Sequence, residues 1–250
     1  MTEKIDKYKV QAALVRSFFD AFSHGVIESQ MEDRNEKTTP QSVKKLMLEH
    51  YEHIAPAFFD TMFFPLAAMN YKYEDIAALA REAQQRGDDM MALVRTACGD
   101  EAYYNAMVEE YKRNFSMLLA GRYLSNADHL EGYVRKAEDE TEASVDSDRA
   151  IELTVRVVMF AYVRGLRQTG EGARFDRSAH LRQVHPLRGA TLFRLMLDAM
   201  NILLLDEAVD FADAEAADLA SLFLKVCQTQ HNFTVMTNEM DRTYSELMKE

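Results

Sequence analysis

Three stretches of this chain space their apolar residues alternately three and four apart, the interval that lines side chains along one face of an α-helix. Ile5, Tyr8, Ala12, Val15, Phe19, Phe22 and Val26 form the first seam and predict a helix over 4–31. Tyr104, Val108, Tyr111, Phe115 and Leu118 form the second, in a helix that starts at Asp100 and ends near Gly121. The third runs through Leu219, Phe223, Val226, Gln230, Phe233, Thr237, Met240, Tyr244 and Leu247. It predicts one helix over 213–248, about 50 Å long at the α-helical rise, weakest at 230–237 where Gln230 and Thr237 enter the seam. A turn-rich all-β fold is excluded by the same pattern and by the 9 Gly and 4 Pro, too few for the turns it would need.

Between the seams the punctuation is helical as well. Thr39 before Pro40 reads as an N-cap with proline in the first turn. Pro56 and Pro65 predict that residues 54–71 are short helical turns and not one rod. Gly87 stops a helix over 73–86, Asp88 or Asp89 caps a short one ending near Gly99, and another starts near Asn126. The acidic stretch at 138–148 reads as an exposed junction. TVRVVMFAYV (154–163) and TLFRLMLDAMNILLL (191–205) are apolar on nearly every face, which places both inside the molecule. No internal repeat stands out. The expected fold is all-α, a single domain over 1–250. About nine or ten helices pack around those two buried central ones, between long amphipathic N- and C-terminal helices.

With 48% hydrophobic and 28% charged residues, the chain has the composition of a globular protein. The N-terminal MTEKIDKYKV lacks the apolar core of a signal peptide, and no uncharged apolar run reaches membrane-spanning length, so a cytoplasmic protein without a membrane span is expected. Cys98 and Cys227 are read as reduced thiols. The net charge of -12 hides a local contrast: residues 151–194 sum to +5, between -9 before them and -8 after them. Arg164, Arg167, Arg174, Arg177, Arg182 and Arg188 lie in that segment, with Glu171 and Asp176 the acids among them, and they either pair internally with the acidic stretches at 138–148 or 206–218 or form a face for an anionic ligand, RNA or an acidic partner. Arg194 and Asp198, four apart, are expected to pair.

Motifs for chemistry are sparse. Glu49 and His53 share a helical face, but the paired motifs of a di-iron bundle and the His-Glu-x-x-His of a zinc peptidase are absent, so neither metal nor cofactor is assigned. A haem or small-molecule enzyme using His24, His50 or His129 is a weaker idea. Arg174 with His180 is similar to the arginine–histidine signature of HEPN-type ribonucleases, in which the imidazole moves a proton at the ribose hydroxyl and the guanidinium holds phosphate. Arg122 with His129 matches too, at about the frequency that chance supplies in a chain with 18 Arg and 7 His. Phe58, Phe59, Met62, Phe63 and Phe64 read as core or, where exposed, as a hydrophobic docking surface, the use to which clustered aromatic and Met side chains are put on binding faces. The expected function is therefore a non-enzymatic interaction, regulatory or assembly protein that binds other chains or copies of itself. The alternative is a nucleic-acid-binding protein or a HEPN-like ribonuclease centred on Arg174 and His180.

Overall fold

A computed structural model describes residues 3–34, 39–120, 144–167, 177–183, 190–205, 209 and 219–249. Among these residues the chain forms eleven helices and two three-residue strands, an all-α fold as its seams require. Strand β1 (Lys4–Asp6) runs into α1 (Lys7–Arg34), followed by α2 (Pro40–Glu49), α3 (Tyr51–Asn70), α4 (Tyr73–Arg86), α5 (Met90–Ala97) and α6 (Glu101–Leu119). Strand β2 (Ser144–Asp146) then runs into α7 (Ser147–Leu166), followed by α8 (Arg177–Gln183), α9 (Ala190–Leu204), α10 (Leu219–Cys227) and α11 (Gln230–Leu247). The strands pair antiparallel, with Ile5 opposite Val145. No helix among the described residues is long and apolar enough to cross a membrane.

Several local expectations hold. Thr39 caps α2 in a capping box with Ser42, Gly87 ends α4 in the left-handed conformation, and Asp89 and Asp100 cap α5 and α6. Others are corrected. The first helix begins three residues late because Lys4–Asp6 pair with β2, and the end of the acidic junction, Ser144–Asp146, is that partner strand. The helix expected from Asn126 and residues 138–143 of the junction lie outside the described residues, while residues 147 and 148 open α7. Residues 54–71 are not short turns. Helix α3 continues through Pro56 and Pro65, both inside it, because Pro56 is flanked by buried Ile54, Ala57 and Phe58 and Pro65 sits among buried Thr61, Met62, Leu66 and Ala67, whose packing offsets the roughly 3 kcal/mol an interior proline costs. The C-terminal rod is broken between α10 and α11, where Gln228 takes a φ of 62° and Thr229 caps the next helix by accepting from the Asn232 N–H.

The central pair is also different from the one expected. Helix α7 is buried as its composition demands, but α1 rather than α9 lies against it most closely. Two glycines explain the approach. A β-carbon on Gly25 would lie 2.1 Å from the Tyr162 carbonyl oxygen, and one on Gly165 would lie 2.2 Å from the Phe22 carbonyl oxygen. The helices therefore meet backbone to backbone, and Phe18, Phe22, Tyr162 and Leu166 close the core around the crossing.

That crossing relates two halves built on one plan. The register that lays Gly165 over Gly25 also lays Arg156 over Arg16 and β2 over β1. A second register lays α10 over α5 and α11 over α6: Cys227 falls on Cys98, Gln228 on Gly99, Glu239 on Glu110, Arg242 on Arg113 and Leu247 on Leu118. The contacts repeat with the residues. Arg16 Nε donates to Glu110 Oε1 at 2.7 Å, while Arg113 lies 3.3 Å from Oε2 of the same carboxylate. Arg156 Nη1 donates to Glu239 Oε1 at 3.2 Å, while Arg242 lies 2.7 Å from its Oε2. A side chain four residues on completes each network, Asn114 Nδ2 donating to Glu110 and Thr243 Oγ1 to Glu239. Gly99 and Gln228 both take positive φ, 73° and 62°. The expectation of no internal repeat is thus corrected: the repeat is carried by position more than by identity.

The crossing makes a direct prediction. Gly25→Ala and Gly165→Ala each place a methyl group inside a facing backbone and should cost about 3 kcal/mol or more. Gly87→Ala, with φ of 73° but nothing within 4 Å of the added carbon, should cost only about 1 kcal/mol. Urea denaturation of the three variants measures the contrast, and equal losses would refute the backbone contact.

Candidate functional site

The nominated arginines do not gather into one described patch. Arg164 is half-buried and pairs with Asp60 on α3, Arg167 and Arg182 are exposed, and Arg174, Arg188 and the side chain of Arg177 lie outside the described residues. The Arg174–His180 pair is consequently not placed as a pair. Of the docking residues, Phe58 and Met62 are wholly buried and belong to the core, where Phe58 meets Phe18 of α1 edge-on at 5.1 Å. Phe59, Phe63 and Phe64 are half-buried against the same core. His50 and His53 have ring centroids 6.3 Å apart, and no group of three or more His, Cys, Asp or Glu that could hold a metal occurs among the described residues. Cys98 and Cys227 are both free and buried, and burial pushes each thiol up to about 12.

Among the described residues there is also a concave feature that no sequence motif nominates. A groove of about 730 Å³ lies between the N-terminal half of α1 and the length of α6, within the range of small-molecule sites. Its seam spacing comes from α6, where Ala102, Asn105, Ala106, Glu109 and Arg113 recur on one face, opposite Tyr8, Gln11 and Ala12 of α1. Alanine at 12, 102 and 106 keeps the space between the helices open. The charges along it are matched: Glu101 pairs with Arg95 at 2.6 Å, Lys112 with Glu109 at 2.8 Å, and Glu110 with Arg16 and Arg113. Tyr8 leans onto Tyr103, with ring centroids 4.4 Å apart.

At the other end of α1 lies a closed polar cluster. His180 on α8 is 8% exposed, and its Nε2 lies 2.6 Å from Glu28 Oε2 and 2.7 Å from the Tyr162 hydroxyl. Tyr162 donates to the same Glu28 oxygen at 2.5 Å, so the hydroxyl accepts from an Nε2 that carries hydrogen. Burial alone would raise the Glu28 carboxyl, but hydrogen bonds from His180, Tyr162 and Thr191 hold it below the usual carboxylate range. One turn earlier, His24 Nδ1 faces the Asp20 carbonyl at 3.0 Å and the Asp20 carboxylate at 3.3 Å. Burial opposes the charged imidazole, yet Asp20 outweighs it and raises His24 to about 9. Asp198 on α9 is pushed up to about 8, first by burial and then by the Asp20 charge, against the pull of His24 and Arg194. The expected Arg194–Asp198 relation thus appears as an electrostatic influence of an exposed Arg194.

No family model, curated protein or solved structure matches the chain.

The cluster predicts a pH response. His24 and Asp198 both hold their protons more tightly in the folded chain than their ordinary values of 6.5 and 3.8, so folding gains from protonation at each. For His24 that gain is complete below pH 6.5 and is lost as the pH rises through about 9. Thermal midpoints should fall over that interval, and His24→Gln should flatten the fall. An NMR titration of the His24 imidazole with a midpoint near 6.5 in place of 9 would overturn the assignment.

Proposed function

We propose that the protein is a non-enzymatic helical binding protein whose guest lies in the groove between α1 and α6. The observation that supports this reading is the alanine-lined space of about 730 Å³ between Ala12, Ala102 and Ala106. Two helices that met only to bury apolar surface would close on one another, since interiors are packed to near-crystalline density. The polar cluster of Glu28, Tyr162 and His180 serves a different purpose in this reading. Its groups satisfy one another across α1, α7 and α8, as buried polar groups must, and so it locks those helices together. Helix geometry makes the groove firm: α6 is fixed to α1 by the buried Arg16–Glu110 pair, whose disruption would leave an uncompensated charge inside the bundle.

A second reading, a partner chain, is favoured by Leu48 and Tyr51, which stand 48% and 53% exposed where α2 meets α3. Light scattering tests its homo-oligomeric form. A dimer dissolved by combining Leu48→Glu with Tyr51→Glu supports it, and a monomer at every concentration refutes it.

The groove reading is tested with Nile red, an uncharged dye that brightens on leaving water. Wild-type protein should bind it saturably. Ala102→His combined with Ala106→Val should reduce binding at least about tenfold, by filling the space, while leaving the helical circular dichroism intact. Equal binding by the variant would place the dye elsewhere and refute the groove as the site.

A further inference from the structure

The two halves of the chain act as a control for one another, because each groove position has a counterpart on the same plan. At the places of Ala12, Ala102 and Ala106 the second half carries Glu152, His231 and Val235. There His231 Nε2 lies 2.9 Å from an Asp148 carboxylate oxygen, so a side-chain pair bridges α7 and α11 where α1 and α6 stand apart. Gln11 is the most telling difference. Its counterpart is Ile151, wholly buried and apolar, whereas Gln11 is 2% exposed and polar. Packing α1 against α6 therefore does not call for an amide: the same junction in the second half is filled by hydrocarbon.

Orientation of that amide is fixed by its neighbour. Gln11 Nε2 donates to the Tyr103 carbonyl at 2.6 Å, and the opposite flip would set two acceptors against each other. Gln11 Oε1 is then a buried acceptor with no donor among the described residues, on a residue that lines the groove. An acceptor in that state is costly, and a bound donor removes the cost. The charged groups of the groove, in contrast, already have opposite charges beside them in the Arg95–Glu101, Lys112–Glu109 and Arg16–Glu110 pairs. What the groove lacks is one hydrogen-bond donor, and no ionic partner is called for.

We propose that the guest is an uncharged small molecule with a largely apolar body and one hydroxyl or amide N–H, which donates to Gln11 Oε1. This rests on the groove reading and specifies its ligand class. The apolar body lies along Ala12, Ala102 and Ala106, and the donor reaches the Gln11 end of the groove. A guest lacking the donor leaves Oε1 unmatched in the complex, so selectivity comes from the penalty of an unmade hydrogen bond more than from added attraction.

Calorimetric titration with 2-naphthol and 2-methoxynaphthalene, which differ in the hydroxyl donor, tests the assignment. The naphthol should bind wild-type protein at least about tenfold more tightly than its ether, the factor corresponding to one buried hydrogen bond. Gln11→Ile, which installs the residue of the second half, should bring that ratio to about one while raising the thermal midpoint of the free protein. Should the variant fail to fold, the wild-type ratio alone decides, since a ratio near one overturns the proposal. Equal binding of both compounds, abolished by Ala102→His with Ala106→Val, would overturn the donor assignment and leave the groove standing. Binding of neither compound would overturn both.

Discussion

The contact on which the rest of the structure depends is the meeting of α1 and α7 at Gly25 and Gly165. Backbone-to-backbone approach brings the side chains on either side of the crossing into one core, with Phe18, Phe22 and Tyr162 all fully buried. It also fixes what every other helix can reach. Helix α3 packs on α7 and α9 on α1, so each half of the chain lends a helix to the central helix of the other. The short β1–β2 ladder and the Ser147 N–H bond to the Glu3 carbonyl at 2.8 Å hold the two helix starts in the register the crossing needs.

Around that axis the same solution appears twice, with different tolerances. Glu110 and Glu239 are buried carboxylates held by an arginine from the central helix and an arginine three residues on. Buried charges are tolerable when paired and hydrogen-bonded, and each network meets that condition. Beyond the networks the halves part company. The second half binds α11 to α7 through Arg156 to Glu246 as well, at 2.8 Å, and through the Asp148–His231 pair. In the first half Tyr8 and Ala102 stand in the places of Asp148 and His231, and Met117 in that of Glu246, so neither bridge has a counterpart between α1 and α6.

Much of the architecture was legible in the chain. Seams at 5–26 and 104–118 located α1 and α6, and Thr39, Gly87, Asp89 and Asp100 marked helix ends by chemistry that acts within a few residues. What escaped depends on distant partners. Gly25 is an ordinary helix interior glycine until Gly165 faces it, and Pro65 is a helix breaker until buried neighbours outweigh it. Gln228 hides a helix break because glutamine is an uncommon residue at positive φ. A signal for the repeat did exist: the seams at 104–118 and 233–247 are one seam written twice, with Tyr104 in the place of Phe233 and Leu118 in that of Leu247. The groove was harder to see. Alanine at 12, 102 and 106 is neutral in a helical pattern, and only the pairing of α1 with α6 turns it into space. His180 has Arg174 near it in sequence, but its contacts, Glu28 and Tyr162, lie on other helices, which spacing along the chain does not report.

Placing Gly25 and Gly165 at the centre has a consequence in time. Helix α1 is made well before α7, and the partner that covers it is complete only when Leu166 has been added. At a synthesis rate of roughly 5–20 residues per second, its apolar faces wait on the order of ten seconds for α7. During that interval Leu14, Phe18 and Phe22 have only the helices of their own half to shelter them. The newborn first half is thus the stage at which this chain is most open to aggregation or to chaperone capture, and the step that ends the exposure is the docking of residues 147–166.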